Sequence, residues 1–507
     1  MRNILYNVFR DVLMNKKQNS RQRNLTLLRL TCAVLAATSF QARAEAIDDA
    51  RTDATKPEAD QSIAATTVGQ WTGAWTRGTL LGDMGGLRSG LAQYGINLGL
   101  TETSEYLGNV SGGTDKGFVY DGLTTLTLTM DTSKALGLQG GTFNVSAINI
   151  HGRNLSELNL SNLQTASGIE SDSGTRLWEL WYQQSLADNK YDVKVGQQSI
   201  DQEFMTSTYS GLFVNTMMGW PAVPSYDLPS GGPAYPMSAL GVRLRAHPTD
   251  AITVLAGAFA GDPTAVNGGN HNGTGFSLHG GTLWIAEVQY AVNQPALGQL
   301  ETANNNPDEP PHHSGLPGTY KLGMWYHTAS FDDQRNGTDG LSLADPNSNG
   351  SPQQHKGNYS IYAVADQLVW ERDPDSAQGL AVFGRAMGAP GDRNELSFSF
   401  NGGLSLKNPL PGRDNDTAGL GVGYVRVGSG DQGLDRDTAN FSGTWYPVRS
   451  GETFVEATYQ AQVNPWWQIQ ADVQYVANVG GGIPNPNDTT QKIGNELILG
   501  VRTNITF

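Results

Sequence analysis

The chain has 507 residues, with 33 Lys and Arg against 48 Asp and Glu, a formal net charge of −15. That balance excludes a nucleic-acid surface, which is built from clustered basic residues. No run of eighteen apolar residues occurs, which excludes a transmembrane helix. A mean hydropathy of −0.37 fits a soluble chain, but a membrane barrel also averages low because its apolar residues stand only at alternate positions.

Lys16, Lys17, Arg21, Arg23 and Arg29 precede an apolar stretch from Leu30 to Phe40, and Ala42-Arg43-Ala44 supplies small residues for cleavage. Residues 1–44 therefore read as a secretory signal peptide, too short to stay as a spanning helix. A start at Met14 would give it a more ordinary length. The only cysteine, Cys32, falls inside the apolar stretch, so the mature chain from Glu45 has none and disulfides play no part. Removing this presequence, with eight basic residues and one acid, leaves 25 basic against 47 acidic residues, a net −22.

Residues 45–70, rich in Asp, Ala and Thr, read as a flexible leader. In 71–93, Leu80, Leu81, Met84, Leu87 and Leu91 are spaced for a short helix, expected as a plug or a strand-closing segment. From Tyr94 onward apolar and polar residues alternate, the period of strands with one greasy and one wet face. Leu240, Val242 and Leu244 alternate with Gly241, Arg243 and Arg245; Trp284, Val288 and Tyr290 oppose Glu287 and Gln289. Trp467, Ile469, Ala471, Val473 and Tyr475 oppose Gln468, Gln470, Asp472 and Gln474, a polar face expected to sit in water. In the closing stretch ELILGVRTNITF, Leu497, Leu499, Val501, Ile505 and Phe507 share one face, and Glu496, Arg502 and Asn504 the other, broken by Ile498. About seventeen such segments, joined by tight turns such as 187–190 and by long loops at 262–281 and 301–318, predict an all-β fold. It is a transmembrane antiparallel β-barrel over 94–507 of sixteen or eighteen strands, with short periplasmic turns and long extracellular loops.

Several stretches then resemble one family. LLGDMGGLRSGLAQYGI (80–96), RLWELWYQQSL (176–186), VKVGQQSIDQEF (193–204), AYPMSALGVRLRAHP (234–248) and the closing GVRTNITF resemble the carbohydrate-selective porins of the OprB family, in order, over nearly the whole chain after Trp71. The resemblance implies an outer-membrane barrel of about sixteen strands in a Gram-negative cell, with facilitated diffusion of mono- and small oligosaccharides as its activity. Met84 stands where the family usually has Trp, and Lys194 where Arg is usual. The second exchange keeps a charge but loses the planar bidentate fork.

A sugar channel needs donors and acceptors that swap for water without holding the sugar, and flat rings for its C–H faces. By strand parity the lumenal candidates are Arg243, Arg245, Lys194, Arg502, Glu105 and Glu179; the alternative for each is wall hydration and charge pairing between strands. Residues 203–238 lack alternation and hold many aromatic residues and prolines, so they read as a loop folded into the lumen as a constriction, or else packed on the extracellular rim. Trp220 and Tyr226 are its candidate stacking surfaces. No HExxH or GxSxG motif occurs, His312-His313 reads as a solvated loop rather than a metal site, and no catalytic role or cofactor is expected. Expected partners are small sugars, outer-membrane lipid and the barrel-assembly machinery, through the strand ending in Phe507; monomer and homo-trimer both fit. The main rival is a general or cation-favouring porin drawing on the net −22. A barrel enzyme and an adhesin using the two long loops are rivals of other classes.

Overall fold

A computed structural model of the protein describes residues 73–265, 269–294, 315–372 and 378–507. The signal peptide, the leader and His312-His313 lie outside these residues. The chain runs through β1 (Ile96–Gly113), β2 (Gly117–Asp131), β3 (Gly141–Gly152), β4 (Gly174–Leu186), β5 (Tyr191–Gln198) and β6 (Ala239–Thr249). It continues through β7 (Ile252–Ala260), β8 (Thr282–Val292), β9 (Gly318–Gly337), β10 (Pro352–Glu371), β11 (Gly379–Gly388) and β12 (Leu396–Lys407). Then come β13 (Thr417–Val427), β14 (Gly451–Asn464), β15 (Trp467–Ala477), the small hairpin β16 (Pro484–Asn485) and β17 (Asp488–Lys492), and β18 (Gly494–Thr506). All but the hairpin join one closed barrel of sixteen strands, each antiparallel to its neighbours, with β1 sealed against β18.

Alternation decides which face each side chain takes. On β6, Val242 is 41% exposed and Arg243 1%, so the apolar parity faces outward and the charged parity inward. The same holds for Val501 beside Arg502. Closure leaves no unpaired strand edge, the condition for a sheet to cross lipid.

Because strands alternate in direction, successive connections alternate between the two ends. One end carries the turns 187–190, 250–251 and 465–466; the other carries 153–173, 199–238, 261–281 and 428–450. The connection 293–317 departs from this division, being long at the short-turn end. Most of the loop 301–318 lies outside the described residues, while 261–281 follows β7 at the long-loop end. The loop 261–281 bends back on the wall: Leu177 N–H donates to Asn272 O at 2.9 Å and Gln197 Nε2 to Gly273 O at 2.9 Å.

The lumen is not lined by water alone. Leu155, Leu160, Phe204, Phe213, Met217 and Met218 from the connections 153–173 and 199–238 pack in one core against Trp325, Phe383, Phe454 and Ile498 of the wall. Ile498, the residue out of step on β18, thus faces inward and finds an apolar partner. The polar face of β15 is likewise covered rather than free in water. Gln470 Nε2 donates to Leu212 O at 2.7 Å, and Gln474 Nε2 to Ala166 O at 2.8 Å. Buried amides need such partners, and the backbone of the inward segments supplies them.

Near the amino-terminal end a 3-10 turn (Met84–Gly86) leads into the helix Leu87–Gln93, shorter than the leucine spacing predicts. Gly85 and Gly86 take φ of 70° and 95°, which breaks the helix there. Leu80 N–H donates to Thr506 O at 2.8 Å, and Arg88 binds Leu98 O at 2.7 Å and also Phe507 O. None of the helix residues is buried. The segment lies along the β1–β18 seam at the short-turn end.

Candidate functional site

Three adjacent strands bring a charged cluster together by register alone. Gln183 of β4 pairs with Lys194 of β5, and Lys194 with Arg243 of β6; Asp192 pairs with Arg245. Arg243 is held on three sides: Nη1 binds Asp192, Nη2 reaches Gln183 Oε1 at 3.1 Å and Glu203 Oε1 at 3.0 Å, and Nε lies 2.6 Å from Glu203 Oε2 within the ion pair. Arg245 Nε meets the other oxygen of Asp192 at 2.8 Å. Lys194 also binds Glu203, and its ammonium stands 4.5 Å from the centre of the Trp181 ring. Lys194 is three residues past the start of β5, so the cluster stands roughly 10 Å above the short-turn end.

Exposure separates scaffold from surface. The side chains of Arg243 and Asp192 are 1% and 0% exposed, whereas Lys194 and Glu203 keep 10% and 14%. Trp181 and Gln183 are half-buried. Burial would raise the Glu203 carboxyl, but the charges of Lys194 and Arg243 beside it bring it down to about 2.

The other residues expected from sequence lie elsewhere. Glu105 and Arg502 are register partners on β1 and β18 and form a buried ion pair, four strands round the wall from β5. Glu179 Oε1 accepts from Ser199 N–H at 3.1 Å, at the root of the 199–238 connection. Trp220 is 8% exposed and its indole N–H donates to Gly231 O at 3.0 Å; Tyr226 packs against the same internal core. Both rings therefore face protein. The basic residues do not form one ladder: Lys194, Arg243 and Arg245 are together, and Arg502 is apart.

The 199–238 connection crosses the lumen, and wall side chains hold its backbone. Glu287 of β8 accepts from Met205 N–H at 2.8 Å, Asp366 of β10 from Thr208 N–H at 2.9 Å, and Glu456 of β14 from Val214 N–H at 2.5 Å. Opposite β5, the wall is bared to receive it. A β-carbon added at Gly421 of β13 would stand 2.6 Å from Met218 Cε and 2.9 Å from Phe213 Cε1. Sequence reasoning did not find Trp181, Asp192, Arg385, Asp366 or Glu456, nor the second inward connection, 153–173. Strand parity carried the signal for the wall residues, and the Gly419-Leu420-Gly421-Val422-Gly423 run, with glycine at every inward position, marked a wall awaiting a partner.

The family model for the carbohydrate-selective porin, OprB family, matches residues 115–507. Porin B of Pseudomonas aeruginosa is 25% identical over 452 residues, covering 84% of this chain and 91% of that protein. The putative porin QuiX of Acinetobacter baylyi is 23% identical over 79% of this chain and 89% of its own. Among solved structures, the high-pH form of Pseudomonas putida OprB superposes with a TM-score of 0.74 at 24% identity, covering 86% of this chain and 100% of that one. Its low-pH form gives 0.52 at 19% identity, over 85% and 99%. With a closed sixteen-strand barrel, an apolar outer belt and a family match over most of its length, this chain belongs to the carbohydrate-selective porins of the OprB family.

Proposed function

We propose that sugars diffusing through this outer-membrane porin pass beside the patch of Trp181, Gln183, Lys194 and Glu203, and that the connection 199–238 is the constriction. The observation that carries this reading is the meeting of an amide from β4, an ammonium from β5 and the Glu203 carboxylate from the root of the 199–238 connection with a half-buried indole at one spot on the wall. Such a patch offers sugar hydroxyls both donors and acceptors, and the ring offers a flat apolar surface. Each contact is weak enough to break, as passage requires. Arg243 acts as scaffold, since it is buried and held by Asp192, Glu203 and Gln183. In the same reading Trp220 and Tyr226 hold the constriction's own core together and do not touch the sugar.

Single-channel conductance of the mature protein in planar bilayers, titrated with glucose and with glycerol as control, tests this. Millimolar glucose should reduce the current while glycerol does not, and Trp181→Ala should weaken the block severalfold. A wild-type current indifferent to glucose would sink the reading and leave a general, cation-favouring pore.

A further inference from the structure

Arg385 of β11 occupies an unusual position for a guanidinium: it is 2% exposed, and all five of its hydrogen bonds go to neutral oxygens. Nε donates to Asn401 Oδ1 at 3.1 Å, on the register partner in β12. Nη1 reaches Met205 O at 2.8 Å and Gly219 O at 2.9 Å; Nη2 reaches Met217 O at 2.6 Å and Met218 O at 3.2 Å. Asn401 Nδ2 in turn donates to Met217 O. One planar fork thus gathers carbonyls from two separate stretches of the 199–238 connection, Met205 and Met217–Gly219. The other anchors each take a single short stretch: Glu287 holds Met205, Asp366 holds Ser207 and Thr208, and Glu456 holds Val214 and Asn215.

We infer that Arg385 is a positioning residue that closes the 205–219 lobe on itself and pins it to the wall at a set height, and so sets the pore's width. The inference rests on reading this connection as the constriction. Only arginine presents five donors in one plane; lysine has three on a point charge and cannot span both stretches. Asn401 keeps the fork oriented from below, and the glycines of β13 leave room for Phe213 and Met218 on the far side. With the guanidinium removed, the buried carbonyls of Met205, Met217 and Met218 and the more open one of Gly219 each lose a donor, and the two stretches are free to part.

The test uses the mature chain, which has no cysteine of its own. A nitroxide on Gly211→Cys, where an added β-carbon meets nothing within 4 Å, reports motion of the lobe in liposomes, and bilayer recording reports conductance and glucose block. Arg385→Met should mobilise the label, raise the conductance and weaken the block severalfold. A disulfide between S207C and D366C, whose native side chains touch, should restore all three in the Met background. Label motion unchanged by Arg385→Met would overturn the inference. A mobile label with wild-type conductance would keep the clamp and discard the constriction. Should Arg385→Met fail to fold, Arg385→Lys and Asn401→Ala serve instead; wild-type label motion in both would overturn it equally.

Discussion

The side chain of Arg243 illustrates how much a lumenal residue can owe to its neighbours. Two carboxylates, Asp192 and Glu203, and the Gln183 amide converge on it at the barrel wall. Arg243→Ala would take one of two cations from each carboxylate, leaving Arg245 on Asp192 and Lys194 on Glu203, a loss of about 2 kcal/mol. Equilibrium unfolding of the refolded barrel in urea checks this, and Gln183→Ala should cost far less. Glu203 adds a pH dependence. Its folded pKa, about 2, lies below the ordinary 4.5, so its ion pairs stabilise fully above pH 4.5 and are lost as pH falls toward 2. Unfolding midpoints measured from pH 7 down to 2.5 should fall below 4.5, and Glu203→Gln should flatten that fall. An equally steep decline in the variant would remove Glu203 as its source.

At the scale of elements, the seam between the first and last strands has its own brace. Arg88 ties the helix Leu87–Gln93 to the carbonyls of Leu98 and Phe507, so one guanidinium spans both ends of the closed sheet. Arg88 is only half-buried, and solvent discounts its bonds. Arg88→Ala should therefore lower barrel stability by about 1 kcal/mol, seen as an earlier heat-induced shift in gel mobility, with glucose block unchanged. The short helix was legible from Leu87 and Leu91, but its start was not. Gly85 and Gly86 could have continued a helix at some cost, and only the backbone path past the seam turns them left-handed.

Across the whole molecule, the outer belt and the packed interior answer to different solvents. Val501 is 50% exposed on the lipid side, five residues from the end of a tilted strand, which puts it roughly 13 Å into an apolar band of about 25 Å. Val501→Arg should cost about 2–4 kcal/mol in a refolding titration into liposomes. A cost near zero would place that face in protein contact rather than lipid. Inside, the aqueous channel shares the barrel with an apolar core built from two connections, which explains why lumenal parity carries Leu107, Phe383 and Ile498 as well as charges.

The period-2 pattern, together with the presequence and the alternation of short turns and long loops, determined the barrel, and parity put Glu105, Lys194, Arg243, Arg245 and Arg502 on its inner face, because a strand has only two faces and lipid tolerates only one kind. It also singled out 203–238, since a stretch so apolar and irregular has no place on an exposed loop. Tertiary structure decided what meets across the lumen. Whether Trp220 faces a sugar or its own core, and which carbonyls reach Arg385, depends on chain segments far apart in sequence and on strands distant round the wall. No local period encodes such distances; they follow from closure of the sheet, which brings inward side chains from β8, β10, β11, β14, β15 and β18 within reach of the same folded segment.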